Sequence, residues 1–329
     1  MKKILSVALC ALMLVSMLAL VGCGNDKKDD KTDKPADDNA SATVKFGAGT
    51  YLSNIAATDA TEDQAGQGSV DVTVAAVIVD ADGKIVACDL DTMQNAVTYT
   101  FEGKAVAKNE FKTKREFYPS MGENVKAWHE QADAFETVIV GKTIAQVKAL
   151  VLEDNKGSKE VADAGCTIKI NEFVGAIEKA VANAKTEVAA DASLKVAIAT
   201  VQTCTDATED QPGSNKVTVN ICAAAQKDGK FVAASSDCVE VSFGFDVAGK
   251  SSFDATKPVQ TKREFYPSMG ENTKTWSEQA DAFDAACVGK TGAEIAGLQA
   301  EDSTYGVDSL KSAGCTIKVD GFVAAASKI

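Results

Sequence analysis

Histidine and aromatic residues are scarce in this chain of 329 residues. There is one histidine, His129, and aromatic residues make up 6% of the chain, two of them tryptophan. A single histidine excludes metal sites built from several imidazoles and leaves one imidazole for any catalytic pair. The nine cysteines include no C-x-x-C spacing, which argues against thioredoxin-like chemistry and zinc knuckles.

Stripes of basic residues are also missing. Lys and Arg number 34 against 47 Asp and Glu, so the formal net charge is −13. A chain of this charge is repelled by phosphate backbones, and we expect no nucleic-acid partner. The 45% of hydrophobic residues suffice for packed cores, and the length predicts about two domains.

Residues 1–22 have the pattern of a secretory signal peptide. Lys2 and Lys3 precede a nearly unbroken apolar run from Ile4 to Val21. The run ends in L-V-G-C, which resembles the bacterial lipobox, and the resemblance implies cleavage before Cys23 and acylation of its thiol. The protein is then extracytoplasmic and held at the cell membrane by acyl chains. The alternative is an ordinary signal peptide with a cysteine there by chance.

The segment after Cys23 is rich in Asp and Lys and poor in apolar residues. Such a composition buries too little apolar surface to offset chain entropy. Residues 23–42 are therefore predicted to be the acylated cysteine and a flexible charged tether.

The chain contains a long internal repeat. Residues 112–143 and 260–291 are identical at 24 of 32 aligned positions, around the shared run T-K-R-E-F-Y-P-S-M-G-E-N. The upstream motif T-D-A-T-E-D-Q and the downstream motif A-G-C-T-I-K also occur twice, in the same order. This pattern indicates tandem duplication, with a first domain at 43–189 and a second at 190–329.

The residue pattern of each repeat predicts strands followed by helices. Strands are predicted at 69–80, 85–91 and 96–101, with a D-G-K hairpin turn at 82–84. Helices are predicted with Trp128, Ala132 and Phe135 on one face, from Thr143 to Leu152, and from Asn171 onwards. We therefore expect an α+β fold, an antiparallel sheet with helices, in each copy.

The ordered motifs, D-G-K-I-V, then W…E-Q-A-D-A-F…G-K, then G-C-T-I-K before an amphipathic helix, resemble the FMN-binding domain family. The resemblance implies an FMN cofactor and flavin-mediated electron transfer with an envelope redox partner. In that family FMN is often esterified to the last threonine of S-G-A-T-x-T. Lys169 and Lys318 stand at this position, and Thr167 and Thr316 lie two residues earlier. Because a lysine cannot form the phosphoester, the binding implied here is noncovalent.

A candidate ligand surface combines the K-R-E-F-Y-P-S-M-G segment with later residues. The arginine can bind a phosphate or carboxylate, and the aromatic rings can stack on a planar ligand. The candidate residues are Lys114, Arg115, Tyr118, Met121, Trp128, Thr167 and Lys169 in the first repeat, and Lys262, Arg263, Tyr266, Met269, Trp276, Thr316 and Lys318 in the second. The alternative is that these aromatics pack over the sheet while the charges face water.

Other groups are weaker candidates. The Asp59–Asp63 and Asp206–Asp210 segments carry calcium-ligand oxygens but lack EF-hand spacing, so acidic surface turns are favoured. His129 aligns with Ser277, so a solvated helix residue is favoured over a catalytic one. We predict no catalytic residues and no metal site.

The predicted function is a membrane-anchored lipoprotein with duplicated ligand-binding domains that carry FMN for electron transfer. The alternative is a non-catalytic surface or scaffold lipoprotein that has lost the cofactor.

Overall fold

Each repeat folds as three long antiparallel strands followed by short helices. The computed structural model describes residues 43–117, 125–266, 269 and 274–329. The first repeat contains β1 (Val44–Thr58), β2 (Gly66–Val79), β3 (Ile85–Tyr99), β4 (Ala105–Val106), α1 (Lys114–Phe117), α2 (Trp128–Ile139), α3 (Ile144–Lys148), α4 (Lys159–Ala164) and α5 (Asn171–Ala182). After β5 (Thr186–Val188), the second contains β6 (Ser193–Thr205), β7 (Gly213–Lys227), β8 (Lys230–Phe245), α6 (Lys262–Phe265), α7 (Trp276–Cys287), α8 (Gly292–Ile295), the 3-10 helix Ala296–Leu298, α9 (Asp308–Ser312) and α10 (Asp320–Ala326). The prediction of antiparallel sheets with helices, in two sheet-containing regions, is confirmed.

The two sheets have the strand orders β4-β3-β2-β1-β5 and β6-β7-β8. The predicted break between strands at 85–91 and 96–101 is wrong, because β3 pairs with β2 along its length. Its polar middle is buried and hydrogen-bonded: the hydroxyls of Thr73 and Thr92 lie 3.0 Å apart, and the Asn95 amide donates to the Val70 carbonyl. The helix predicted from Thr143 begins there but ends at Lys148, before Leu152.

Alternate residues of β2 serve two different cores. Ala75, Val77 and Val79 pack against the helices of the first repeat, whereas Val70, Val72 and Val74 pack against the sheet of the second. The second repeat divides β7 in the same way, with Cys222 and Ala224 towards its own helices. The described residues therefore form four layers, helices, sheet, sheet and helices, with a shared apolar core between the sheets.

The two D-A-T-E-D segments join the repeats reciprocally. The Ala60 amide donates to the Gly249 carbonyl and the Ala207 amide to the Gly103 carbonyl, each at 2.8 Å. Asp59 accepts from the Ser251 amide at 2.8 Å, and Asp206 accepts from the Ala105 amide at 2.9 Å. Beside these contacts the rings of Tyr99 and Phe245 stack with centroids 4.4 Å apart. The stretch Ser41–Ile329 forms one compact unit.

Candidate functional site

One cleft in the second repeat gathers most of the ligand residues predicted for that repeat. It has a volume of about 680 Å³, within the ~300–1,000 Å³ range of small-molecule sites. Its lining includes six of the seven second-repeat candidates: Lys262, Tyr266, Met269, Trp276, Thr316 and Lys318. We call it the second-repeat cleft. Arg263 lines a separate cleft of about 590 Å³ between the repeats, beside Lys179 and Asp284.

Aromatic and sulfur-containing side chains form the apolar part of the second-repeat cleft. Trp276 and Phe322 meet edge to face with centroids 5.6 Å apart, and Tyr305 lies at the cleft with 43% of its surface exposed. Tyr266 and Met269 are also exposed. Trp276 and Phe322 are only 5% and 2% exposed and belong to the core, so the prediction that Trp276 stacks on a ligand is not supported. Tyr266 and Tyr305 give a planar ligand accessible ring faces, and Met269 gives a flexible side chain that can adapt to it.

Three lysines supply positive charge to the cleft, and two carboxylates, Glu240 and Asp320, offset part of it. Glu240 accepts from Lys262 at 3.0 Å and pairs with Lys216 at 3.3 Å. Burial acts to raise the pKa of Glu240, but the two ammonium groups outweigh it and hold the pKa below its ordinary value. Lys318, at the position of the family's esterified threonine, is exposed at the cleft wall. The arrangement suits an anionic group on the ligand.

A buried glutamine holds the threonine of this cleft. Thr316 donates to Gln279 Oε1 through its amide at 2.9 Å and through its hydroxyl at 2.8 Å, and Gln279 donates to the Lys274 carbonyl. Gln131 accepts from Thr167 in the same way in the first repeat. Sequence reasoning missed both glutamines. The signal was a polar residue on the apolar face of a helix, three positions after the tryptophan.

In the first repeat the matching residues lie in a more acidic setting. The Lys114 ammonium lies 5.9 Å from the centre of the Trp128 ring. Burial lowers the pKa of Lys114, against the opposing effect of the nearby Asp71, Glu172 and Asp91 carboxylates. Thr167 and Lys169 are exposed. Tyr118 and Met121 lie outside the described residues, as does Cys23.

The two arginines of the repeated motif bind the protein's own carboxylates. Arg115 donates to Asp133 at 2.7 Å and to Glu136 at 2.6 Å, and its Nε donates to the Leu90 carbonyl. Arg263 repeats this pattern with Asp281, Asp284 and the Ser236 carbonyl. Each arginine therefore ties the short helix of its motif to the following helix and to the third long strand.

The weaker candidates have ordinary surroundings. His129 is half-buried in the first turn of α2. The residue after it, Glu130, accepts from the Ala127 amide at 2.7 Å, so it caps α2. Within 43–117, 125–266, 269 and 274–329, no group of three or more His, Cys, Asp or Glu residues is arranged to hold a metal ion. The seven cysteines of the described residues are free thiols, and five of them are buried.

No helix among the described residues is both long and apolar enough to cross a membrane. Comparisons of this chain with protein-family models, with curated proteins and with solved structures find no match.

Proposed function

We propose that this chain is a membrane-anchored extracytoplasmic lipoprotein whose second repeat binds FMN noncovalently and takes part in electron transfer. The observation that carries the proposal is the second-repeat cleft, where the exposed rings of Tyr266 and Tyr305 lie with Lys318 around about 680 Å³. The aromatic rings suit an isoalloxazine ring, and the lysines suit a phosphate. When bound, FMN supplies one- and two-electron transfer.

Noncovalent binding agrees with the groups at the family's attachment position. Lys318 carries no hydroxyl, and the Thr316 hydroxyl donates to Gln279 at 2.8 Å. The role of the chain's own residues is therefore to stack on the ring and to neutralise the phosphate, with no bond formed to the ligand.

The test is a titration of the purified full chain with FMN and with riboflavin, which lacks the phosphate. We expect FMN to bind more tightly than riboflavin, and we expect Lys318→Gln to remove most of that difference. Flavin carried through purification should be released when the protein is denatured. Protein that is colourless as purified and takes up no added FMN would falsify the flavin proposal.

The membrane anchor has a separate test. Cys23→Ser removes the thiol that the lipobox resemblance marks for acylation, so the chain should no longer incorporate a radiolabelled fatty acid supplied to the cells. Cys204→Ser, at an exposed thiol of the folded region, is the control and should still take up the label. Equal labelling of the two variants would refute acylation at Cys23.

A scaffold lipoprotein without a cofactor is the second candidate. The contacts of Arg115 and Arg263 favour this function, because both guanidinium groups of the repeated motif bind carboxylates of their own repeat. A colourless protein that binds neither flavin would support this function.

A further inference from the structure

The two repeats differ at positions that bear on ligand charge. Repeat alignment matches Asp71 with Thr218 and Glu172 with Gly321. Thr218 and Gly321 both line the second-repeat cleft. At these two places the first repeat therefore carries carboxylates and the second carries none, whereas Asp320 of the second repeat stands where the first has Asn171. With Glu240 this gives the second-repeat cleft two carboxylates against three lysines.

Neighbouring side chains hold both first-repeat carboxylates in place. The Ser53 hydroxyl donates to Glu172 at 2.7 Å. The side-chain amides of Asn54 and Gln94 donate to the same oxygen of Asp71, at 2.7 and 2.9 Å. An anion that approached Lys114 would meet two ordered negative charges, and Lys114 itself is balanced by these acids.

At positions 218 and 321 the second repeat is small and uncharged, and the carboxylates that line its cleft are Asp320 and Glu240, which pairs with two lysines. A Cβ at position 321 would overlap the amide of Asn220, so glycine lets the start of α10 pack directly on β7. The residue aligned with Asn220 is Thr73, a smaller side chain, and the residue aligned with Gly321 is Glu172. The second repeat therefore combines a larger strand residue with glycine, and the first combines a smaller strand residue with a carboxylate.

We infer that the repeats have diverged in ligand binding: the chain takes one aromatic anion, in the second-repeat cleft, and Gly321 and Thr218 are the residues that admit it. The first repeat excludes such a ligand through Glu172 and Asp71. The inference rests on the proposed use of the cleft for binding, but it does not require the anion to be FMN.

The test is calorimetric titration of the full chain with two probes, FMN and naphthalene-2-sulfonate, an aromatic anion without a flavin ring. We expect one molecule bound per chain. The double variant Asn220→Thr/Gly321→Glu gives the second repeat the residues of the first and should weaken binding by at least about tenfold, because a carboxylate then faces the anion. Thr218→Asp adds the other first-repeat carboxylate and should also weaken binding. It keeps the test usable if the double variant fails to fold.

Two variants serve as matched controls. Gly297→Glu makes the same exchange at an exposed glycine whose Cβ would meet nothing within 4 Å. Glu172→Gly removes one of the two carboxylates that exclude the ligand from the first repeat, so it should leave the affinity of the second-repeat cleft unchanged, and any second molecule it admits would agree with the inference. Gly297→Glu should keep one molecule per chain and unchanged affinity. Two molecules bound per unaltered chain, or loss of binding in Glu172→Gly but not in the second-repeat variants, would overturn the inference. One site for the sulfonate with none for FMN would overturn only the flavin proposal, and no binding of either probe would overturn both.

Discussion

Lys179 of the first repeat and Glu264 of the second form an ion pair, with Nζ and Oε1 2.7 Å apart. The aligned residues form the reverse pair, Lys328 with Glu116, at 3.4 Å. Each repeat thus offers the same surface to the other, as the subunits of a twofold-symmetric dimer do.

Breaking one of these pairs should have a small effect on stability. Lys179 and Glu264 are each more than a third exposed, so Glu264→Gln should lower the free energy of unfolding by about 0.2–1 kcal/mol. Lys179→Gln removes the cation but keeps the hydrogen bond that Glu264 accepts from the Thr261 amide, so it should cost about the same. Urea unfolding measures both variants, and losses that do not shrink when salt is added would show that packing, not charge, is responsible.

The glycines at the reciprocal turns should tolerate substitution poorly. Gly249 has a φ of +66°, and an added Cβ would lie 2.7 Å from both the Ala60 Cβ and the Thr100 carbonyl oxygen. Gly229 has a similar φ of +72° but open space around it. Gly229→Ala should cost about 1–2 kcal/mol from the left-handed backbone alone. Gly249→Ala should cost about 1–3 kcal/mol more, because the added Cβ overpacks the turn. Thermal unfolding measures both variants, and an equal loss of stability in the two would contradict the close contact with Ala60.

Removing the Arg263 guanidinium should lower the free energy of unfolding more than removing a charge at the surface does. Its partner Asp284 has a side chain only 8% exposed, so Arg263→Ala leaves a buried carboxylate without a cation and should cost about 3–5 kcal/mol. Asp281→Asn removes the exposed partner of the same arginine and is the control, with an expected loss of about 1 kcal/mol or less. Denaturant unfolding measures both variants. Similar losses of unfolding free energy in the two would contradict a special role for the buried pair of Arg263 and Asp284.

Stability should fall as the pH rises from about 5 to 8. Burial raises the pKa of Glu136 to about 7, against the opposing charge of Arg115. The folded state therefore retains a proton that the unfolded state has lost, so the free energy of unfolding decreases with rising pH in this range. Glu136→Gln should reduce that slope by up to about one proton. The slope should not vanish, because burial also raises the pKa of Asp91 and of Asp237 to about 6.

The control for this pH series is Glu178→Gln, at an exposed glutamate that pairs with Lys148. It tests the exchange of glutamate for glutamine without touching the buried cluster around Arg115. A slope unchanged in Glu136→Gln, or reduced equally in both variants, would argue against a proton held at Glu136.

Local patterns predicted the local structure well. The helical spacing of Trp128, Ala132 and Phe135 marks the buried face of α2, and all three side chains are buried. The repeated motif and the G-C-T-I-K segment predicted a common surface, and in the second repeat Tyr266, Trp276 and Lys318 do line one cleft.

Contacts between distant segments could not be predicted in this way. An acidic turn such as Asp206–Asp210 is expected to be solvated unless its hydrogen-bond donor, the Ala105 amide of the other repeat, is known. The partners of Arg263 also come from a different helix, α7, and from β8. Repeat identity also conceals the difference between the repeats, because Glu172 and Gly321 lie outside the segments that match most closely.

The stacked rings of Tyr99 and Phe245, with the reciprocal turns around them, determine how the association of the two repeats depends on protein concentration. Two separate subunits joined by such contacts would come apart when few copies are present. Here the partner is always on the same chain, so the association is intramolecular and does not depend on protein concentration. One half can then accumulate changes while the other still supplies the surface that both need.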